Sequence, residues 1–162
     1  MKQRKHLQGM IAVEFVLLLV PLLVMLTGVT EFGRAMYYYN ALVKSVRDAG
    51  RLMSTQTPAD PDYPALRNAA ICTAVHGNSS CTGDPVVPGL ATGMVSFCDA
   101  LTCPSTHAAV PTGTGAANLV TVTIGGANAP YVFKSMAPFL PQLFGRDDIT
   151  FGAISVTMRQ II

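Results

Sequence analysis

The sequence predicts an α+β protein: a long N-terminal transmembrane helix continuing into a small extracytoplasmic head with a short antiparallel sheet. Three observations predict it. Residues 10–29 read MIAVEFVLLLVPLLVMLTGV, an apolar run whose only ionisable group is Glu14. Apolar positions then recur every 3.5 residues as far as Met53. The C-terminal part holds two stretches that alternate with a period of two, separated by turn residues. Composition agrees. Of 162 residues 50% are hydrophobic and only 12% charged, where ordinary soluble domains carry about 25%. A disordered chain and a basic nucleic-acid tail are excluded. A net charge of +2 steers no large polyanion, so no nucleic-acid partner is expected.

Residues 1–9 form a basic leader carrying Lys2, Arg4 and Lys5. Positive charge before an apolar run, with none close behind it, predicts a cytoplasmic N-terminus and everything after about residue 30 on the far side. Twenty helical residues rise about 30 Å, the thickness of a bilayer core. A cleaved secretory signal is the alternative, but the apolar core exceeds the usual length of about 7–15 residues and no A-x-A site follows it. Pro21 lies inside the run. In a membrane helix it is expected to kink the rod without breaking it.

Glu14 is the most informative residue. It lies about 6 Å into the run, where a carboxylate is costly. Either it snorkels or is protonated, or it has a cationic partner. Gly9 followed by Met10 offers one, because cleavage after Gly9 would free an α-amine able to pair with Glu14 within one subunit or between neighbours.

The helix is expected to run over residues 10–53. Gly28, Phe32, Ala35, Tyr39, Leu42, Val46, Ala49 and Met53 follow one another at alternating steps of four and three, the spacing of a helix–helix seam. That seam packs either under the chain's own head or against other helices, and the two uses are compatible. Glu31–Arg34, Lys44–Asp48 and Asp48–Arg51 are candidate ion pairs at helical spacing. Tyr37, Tyr38 and Tyr39 follow the membrane exit, where aromatic belts sit.

Gly9, Met10 and Glu14 together resemble the cleavage signature of type IV prepilins, in which a prepilin peptidase cuts after the glycine and leaves the helix intact. The longer stretch AVEFVLLLVPLLVMLTGVTEFGRAMYYYNALVKSVRDAGR is similar to the N-terminal domain of TadE/TadG-type pseudopilins of the tight-adherence (Tad/Flp) pilus system. The matching positions are Ala12, Val13, Glu14, Phe15, Pro21, Gly28, Glu31, Phe32, Gly33, Arg34, Leu42, Arg47, Ala49 and Arg51. The resemblance covers residues 9–53, with a weaker echo in the final ITFGAISVTMRQ, and the length favours the TadE-like branch. Gly50 departs from it, standing where a second alanine is usual. The resemblance implies a minor pseudopilin of the bacterial inner membrane. Its partners would be other pseudopilins, the major pilin, the inner-membrane assembly platform, the prepilin peptidase and the lipid bilayer.

Residues 54–162 are expected to form the extracytoplasmic α+β domain. STQTPADPDYP is a breaker-rich loop that ends the long helix. Residues 64–75 suit a short helix with Pro64 near its start. Residues 76–118 read as cysteine-held loops, with one short strand near Met94–Phe97. Residues 119–124 are a strand with Val120, Val122 and Ile124 on one side. Residues 125–130 are a turn, and residues 131–144, interrupted by Pro138 and Pro141, are expected as a helix-like turn or amphipathic connection. Residues 149–158 are expected as one further strand.

Cys72, Cys81, Cys98 and Cys103 lie on the side where an oxidising compartment permits disulfides. Of the three pairings four cysteines allow, proximity favours Cys72–Cys81 and Cys98–Cys103. The rival arrangement uses His76 and His107 with the cysteines as zinc ligands, but the spacing fits no standard finger. It belongs to the alternative function, a membrane-anchored extracytoplasmic enzyme or metal-binding protein. No nucleophile–base pair or phosphate-cradling loop stands out. Asp147 and Asp148 are adjacent and on a strand would face opposite ways. No catalytic residue, metal or cofactor is assigned.

Overall fold

The computed structural model describes residues 3–113, 115–136 and 148–160. Helix α1 spans Gln3–Ser54 without interruption at Pro21, so the basic leader, expected as a separate segment, is helical from Gln3 onward. Helix α2 spans Tyr63–His76. A 3₁₀ turn, Thr92–Met94, introduces β1 (Val95–Cys98), followed by a single helical turn, α3 (Pro104–His107). Strands β2 (Val110–Thr112), β3 (Gly115–Ile124), β4 (Val132–Lys134), β5 (Asp148–Thr150) and β6 (Ile154–Gln160) complete the head. Among the described residues all strand pairings are antiparallel. β3 pairs with β1, β2 and β6, and β4 pairs with β5.

The core lies between the upper half of α1 and the main sheet. Leu42, Val46, Ala49 and Met53 are fully buried against Ala70, Ala74 and Val75 of α2 and Val120, Val122 and Ile124 of β3. Burying each of the larger aliphatic side chains contributes about 1.5–3 kcal/mol, so this face holds the head to the helix. The seam does not hold along its whole length. Phe32 is 68% exposed and Tyr39 42% exposed, while Ala35 is buried. The described part of the head meets α1 at Arg34 and above, and Phe32 lies outside that contact.

The sheet is larger than the sequence pattern indicated. β2, α3 and the start of β3 occupy part of what reads as loop, because the segment is short, polar and rich in turn residues. β4 replaces the expected helix-like connection over residues 132–134; residues 137–147 lie outside the described residues. The strand expected over residues 149–158 is two strands in different sheets. Phe151 turns inward to an aromatic cluster, but Ile154, Val156, Met158 and Gln160 face inward with the opposite parity. A strict period of two cannot satisfy both, and residues 151–153 leave the strand conformation to change phase.

Gly50, the departure in the long helix, has a packing cause. A Cβ built there would lie 3.0 Å from Val156 Cγ1 and 3.5 Å from Met158 Sδ. The missing methyl group lets β6 lie close against α1, which offsets the intrinsic helix cost of glycine, about 1 kcal/mol.

Local devices order the polar loops. Gly77 ends α2 in the left-handed conformation at φ 71°, its N–H donating to the Thr73 carbonyl. The Cys72–Cys81 disulfide joins α2 to the loop that follows. Asn78 holds that loop, donating to the Thr82 carbonyl at 2.7 Å and accepting from the Ser80 and Thr82 N–H groups.

A buried polar chain ties the top of α1 to the head. Gln160 Nε2 donates to the Met53 carbonyl at 3.2 Å and to Tyr63 Oη at 2.9 Å; Tyr63 in turn donates to Asp99 Oδ2 at 3.1 Å. Asp99 Oδ1 accepts from the N–H groups of Leu101 and Thr102 and from the Thr102 hydroxyl. Burial alone would raise the Asp99 pKa, but these donors and Tyr63 outweigh it and hold the carboxyl below its ordinary range. Burial of Tyr63, reinforced by the charge of Asp99 and only partly opposed by the Gln160 hydrogen bond, pushes the phenol up to about 12.

These shifts set a pH window. The folded chain keeps the Tyr63 proton that the unfolded chain loses near pH 10, so its contribution is full below pH 10 and disappears as pH rises through about 12. The Asp99 contribution is full above the unfolded value of 3.8 and disappears as pH falls through the lower folded value. Denaturant midpoints of the detergent-solubilised chain, measured against pH, will fall at both ends. Tyr63→Phe will remove most of the alkaline fall and lower neutral-pH stability by about 1–2 kcal/mol. Asp99→Asn will flatten the acid limb.

Candidate functional site: the apolar stalk and its junction with the head

The lower half of α1 is an apolar rod. From Met10 to Val29 the large apolar side chains are mostly exposed, among them Phe15, Leu17, Leu18, Leu22 and Met25. The best 18-residue window has a mean hydropathy of 2.6 and none of it is buried, so this helix is long and apolar enough to cross a membrane. The hydroxyls within and just beyond it are internally satisfied. Thr27 Oγ1 donates to the carbonyls of Leu23 at 2.8 Å and Val24 at 3.0 Å, and Thr30 Oγ1 donates to the Thr27 carbonyl. Hydrocarbon requires such internal pairing, since it supplies no partner of its own.

Gly9 and Met10 lie within α1, and Glu14 is exposed on it one helical turn above Met10. The carboxylate therefore faces outward from the rod.

Just above the rod, Arg34 joins helix to head. Its Nη2 donates to Glu31 Oε2 and to the Lys134 carbonyl of β4, each at 2.7 Å. The guanidinium carbon lies 4.7 Å from the Phe133 ring centroid and 5.8 Å from that of Tyr38. Such cation–π stacking is worth about 0.5–2 kcal/mol, according to exposure. Of the three candidate ion pairs, Glu31–Arg34 forms; the other two are absent among the described residues. Above Arg34 an aromatic cluster continues the contact. Tyr38 meets Phe133 edge-on at 5.5 Å, Tyr39 meets Phe151 at 5.9 Å, and Phe133 stacks on Phe151 at 6.1 Å.

Sequence reasoning identified Glu31 and Arg34 as a helical pair but not the reach of Arg34 to β4, a hundred residues away. It also missed the Asp99–Tyr63–Gln160 chain, whose members are isolated polar residues in sequence. The inward phase of Gln160, at the end of an alternating strand, was the available signal for that chain.

The cysteine–histidine region contains two disulfides, Cys72–Cys81 and Cys98–Cys103, which use all four sulfurs. Cys98, Cys103 and His107 place their donor atoms within 4.8 Å of one another. His107 Nδ1 is 2.7 Å from Thr106 Oγ1, and Nε2 is 2.8 Å from Thr121 Oγ1. His76 Nδ1 meets the Gly83 carbonyl at 2.9 Å. With the sulfurs bonded to each other, neither histidine has a thiolate beside it to complete a zinc site.

A family model described as TadE-like protein matches residues 9–51. The similarity is confined to this segment, 43 of the 162 residues. The match covers the apolar rod, Glu14, the Glu31–Arg34 pair and most of the buried face of α1, and stops where the head begins. Among the described residues, one N-terminal apolar helix of this length fits a single-pass membrane protein. No curated protein and no solved structure matches the chain.

The junction makes a local prediction. Arg34→Ala will accelerate amide hydrogen exchange in β4 and β5 by about tenfold or more, corresponding to the loss of about 1.4 kcal/mol of local stability. Exchange in β3 and β6 will not change. Arg34→Lys will restore little, because an ammonium cannot stack between the rings while holding both acceptors.

Proposed function

We propose that this chain is a TadE-like minor pseudopilin: a structural or assembly component of a Tad-type pilus, processed by a prepilin peptidase between Gly9 and Met10. The observation that carries this reading is Gly9 and Met10 at the lower edge of the exposed apolar run of α1, with Glu14 one turn above, within the segment similar to TadE-like proteins. The basic residues Lys2, Arg4 and Lys5 support a cytoplasmic N-terminus and an extracytoplasmic head. The domains divide accordingly into the leader 1–9, the helix 10–53 and the head 54–162. Disulfides in the head are consistent with an oxidising compartment.

The mechanism is lateral association of helices. Cleavage frees the Met10 amine. A carboxylate one turn away then has a counter-charge, either its own or that of an adjacent subunit, and pairing removes much of the cost of holding Glu14 in lipid. The apolar faces of neighbouring pilin-like helices supply packing, and the exposed Phe32 extends that surface above the bilayer. Partners on this reading are other pseudopilins, the major pilin and the inner-membrane platform.

Mass spectrometry of the chain isolated from its native membranes and from sheared pili tests this directly. The expected mature N-terminus is Met10, and Glu14→Ala is expected to leave processing intact while lowering assembly. A native chain that begins at residue 1, or one that has lost residues 10–29, contradicts the proposal.

A further inference from the structure

Cys98, Cys103 and His107 meet beside the β1–β3 pair. Cys98 ends β1 and stands in register with Thr121 of β3. Cys103 precedes the single turn α3, whose last residue is His107. The His107 N–H donates to the Cys103 carbonyl at 3.0 Å, which brings the imidazole back to the disulfide. Its Nδ1 is 3.4 Å from Cys98 Sγ and 2.7 Å from Thr106 Oγ1, and its Nε2 is 2.8 Å from Thr121 Oγ1. All three residues are half-buried and keep some exposure to solvent.

Thr121 fixes what this imidazole can offer. Its hydroxyl can donate to Nε2 while accepting from the Thr157 hydroxyl, 2.7 Å away. That arrangement puts the ring proton on Nδ1, facing Cys98 Sγ. A sulfur bonded to another sulfur gains little from such a donor, whereas a thiolate is stabilised by it. The frame under the pair does not rest on the S–S bond. The Cys103 N–H donates to the Asp99 carbonyl at 2.8 Å, and Asp99 Oδ1 holds the N–H groups of Leu101 and Thr102. With the bond open, these contacts keep the two sulfurs within reach of each other, so it can close again. The other bridge is differently placed. His76, four residues after Cys72, turns to the Gly83 carbonyl.

We propose that Cys98–Cys103 is a thiol–disulfide exchange site, in which His107 stabilises Cys98 as the leaving thiolate. The co-reactant is a dithiol. One of its thiolates attacks Cys103 Sγ, the bond between the two cysteines breaks, and Cys98 leaves as a thiolate that accepts the Nδ1 hydrogen bond. The second thiolate of the dithiol then attacks the dithiol sulfur held on Cys103 and releases Cys103 as a thiolate. The dithiol ends as a disulfide, the cysteine pair has gained two electrons, and its thiolates take up two protons in place of those the dithiol gave to water. The step unlinks the end of β1 from the start of α3 and leaves Cys72–Cys81 in place. It does not depend on whether residues 10–29 cross a membrane.

Peptide mass spectrometry of the folded full chain in detergent tests it. The chain is exposed briefly to glutathione and quenched with excess N-ethylmaleimide. The expected adduct carries glutathione on Cys103 and maleimide on Cys98; glutathione on Cys98 overturns the proposal. In dithiothreitol, Cys98–Cys103 is expected to open before Cys72–Cys81, although Cys81 is the more exposed. The reverse order overturns it. His107→Ala is expected to slow opening of Cys98–Cys103 by about tenfold, with the rate at Cys72–Cys81 and the circular dichroism unchanged. An unaltered rate at Cys98–Cys103 overturns it. His107→Asn, whose amide N–H can stand in the place of Nδ1, is expected to regain part of the rate. His107→Gln, which keeps only the reach to Thr121, is not. Equal rates in these two variants reduce His107 to a packing role and also overturn the proposal. Where His107→Ala fails to fold, the position of the glutathione adduct in the unsubstituted chain decides.

Discussion

On the proposed membrane-spanning reading, the structure depends on one constraint: every backbone polar group in a bilayer must find its partner within its own segment. A helix meets that requirement, and α1 meets it from Gln3 to Ser54 in a single element. On that reading the same rod serves two solvents. Its lower half presents apolar side chains outward, and its upper half presents Leu42, Val46, Ala49 and Met53 to the head. Because no joint separates the halves, the orientation of the head is set by the rotation of the rod. The residues between them, Glu31 to Tyr39, tie β4 and Phe151 to the rod below that core. Arg34 satisfies a carboxylate, a β4 carbonyl and two aromatic faces at once.

The head is small, and its stability comes from several modest sources. Apolar burial against α1 is the largest. The Asp99–Tyr63–Gln160 chain adds a buried polar tie whose every link bridges different elements. Two disulfides and the Asn78 turn order loops that have too few apolar residues to pack themselves. Gly50 shows how closely these parts are fitted, since one methyl group there would meet Val156.

Much of this arrangement was legible in the residues. The apolar run, the 3.5-residue seam and the alternation of Val120, Val122 and Ile124 each follow from local periodicity, which a sequence displays directly. Glu14 was conspicuous because one charge in twenty apolar residues has no packing explanation. Features that depend on distant partners were not legible. Nothing near Arg34 in sequence indicates Lys134, and nothing near Tyr63 indicates Gln160. The change of phase between Phe151 and Ile154 was hidden for a related reason: it exists to serve two different sheets. Phe32 and Tyr39 have the spacing of seam residues, but whether a seam position is covered depends on where the head begins.

Continuity of the helix through the junction is the central physical claim, and residue-resolved hydrogen exchange of the full chain in lipid nanodiscs tests it most directly. Continuous slow exchange from the middle of the apolar run through Met53, including residues 29–34, is the result expected of one rod. A fast-exchanging gap at those residues, with protection on both sides, would mean that span and head are separate bodies on a flexible joint.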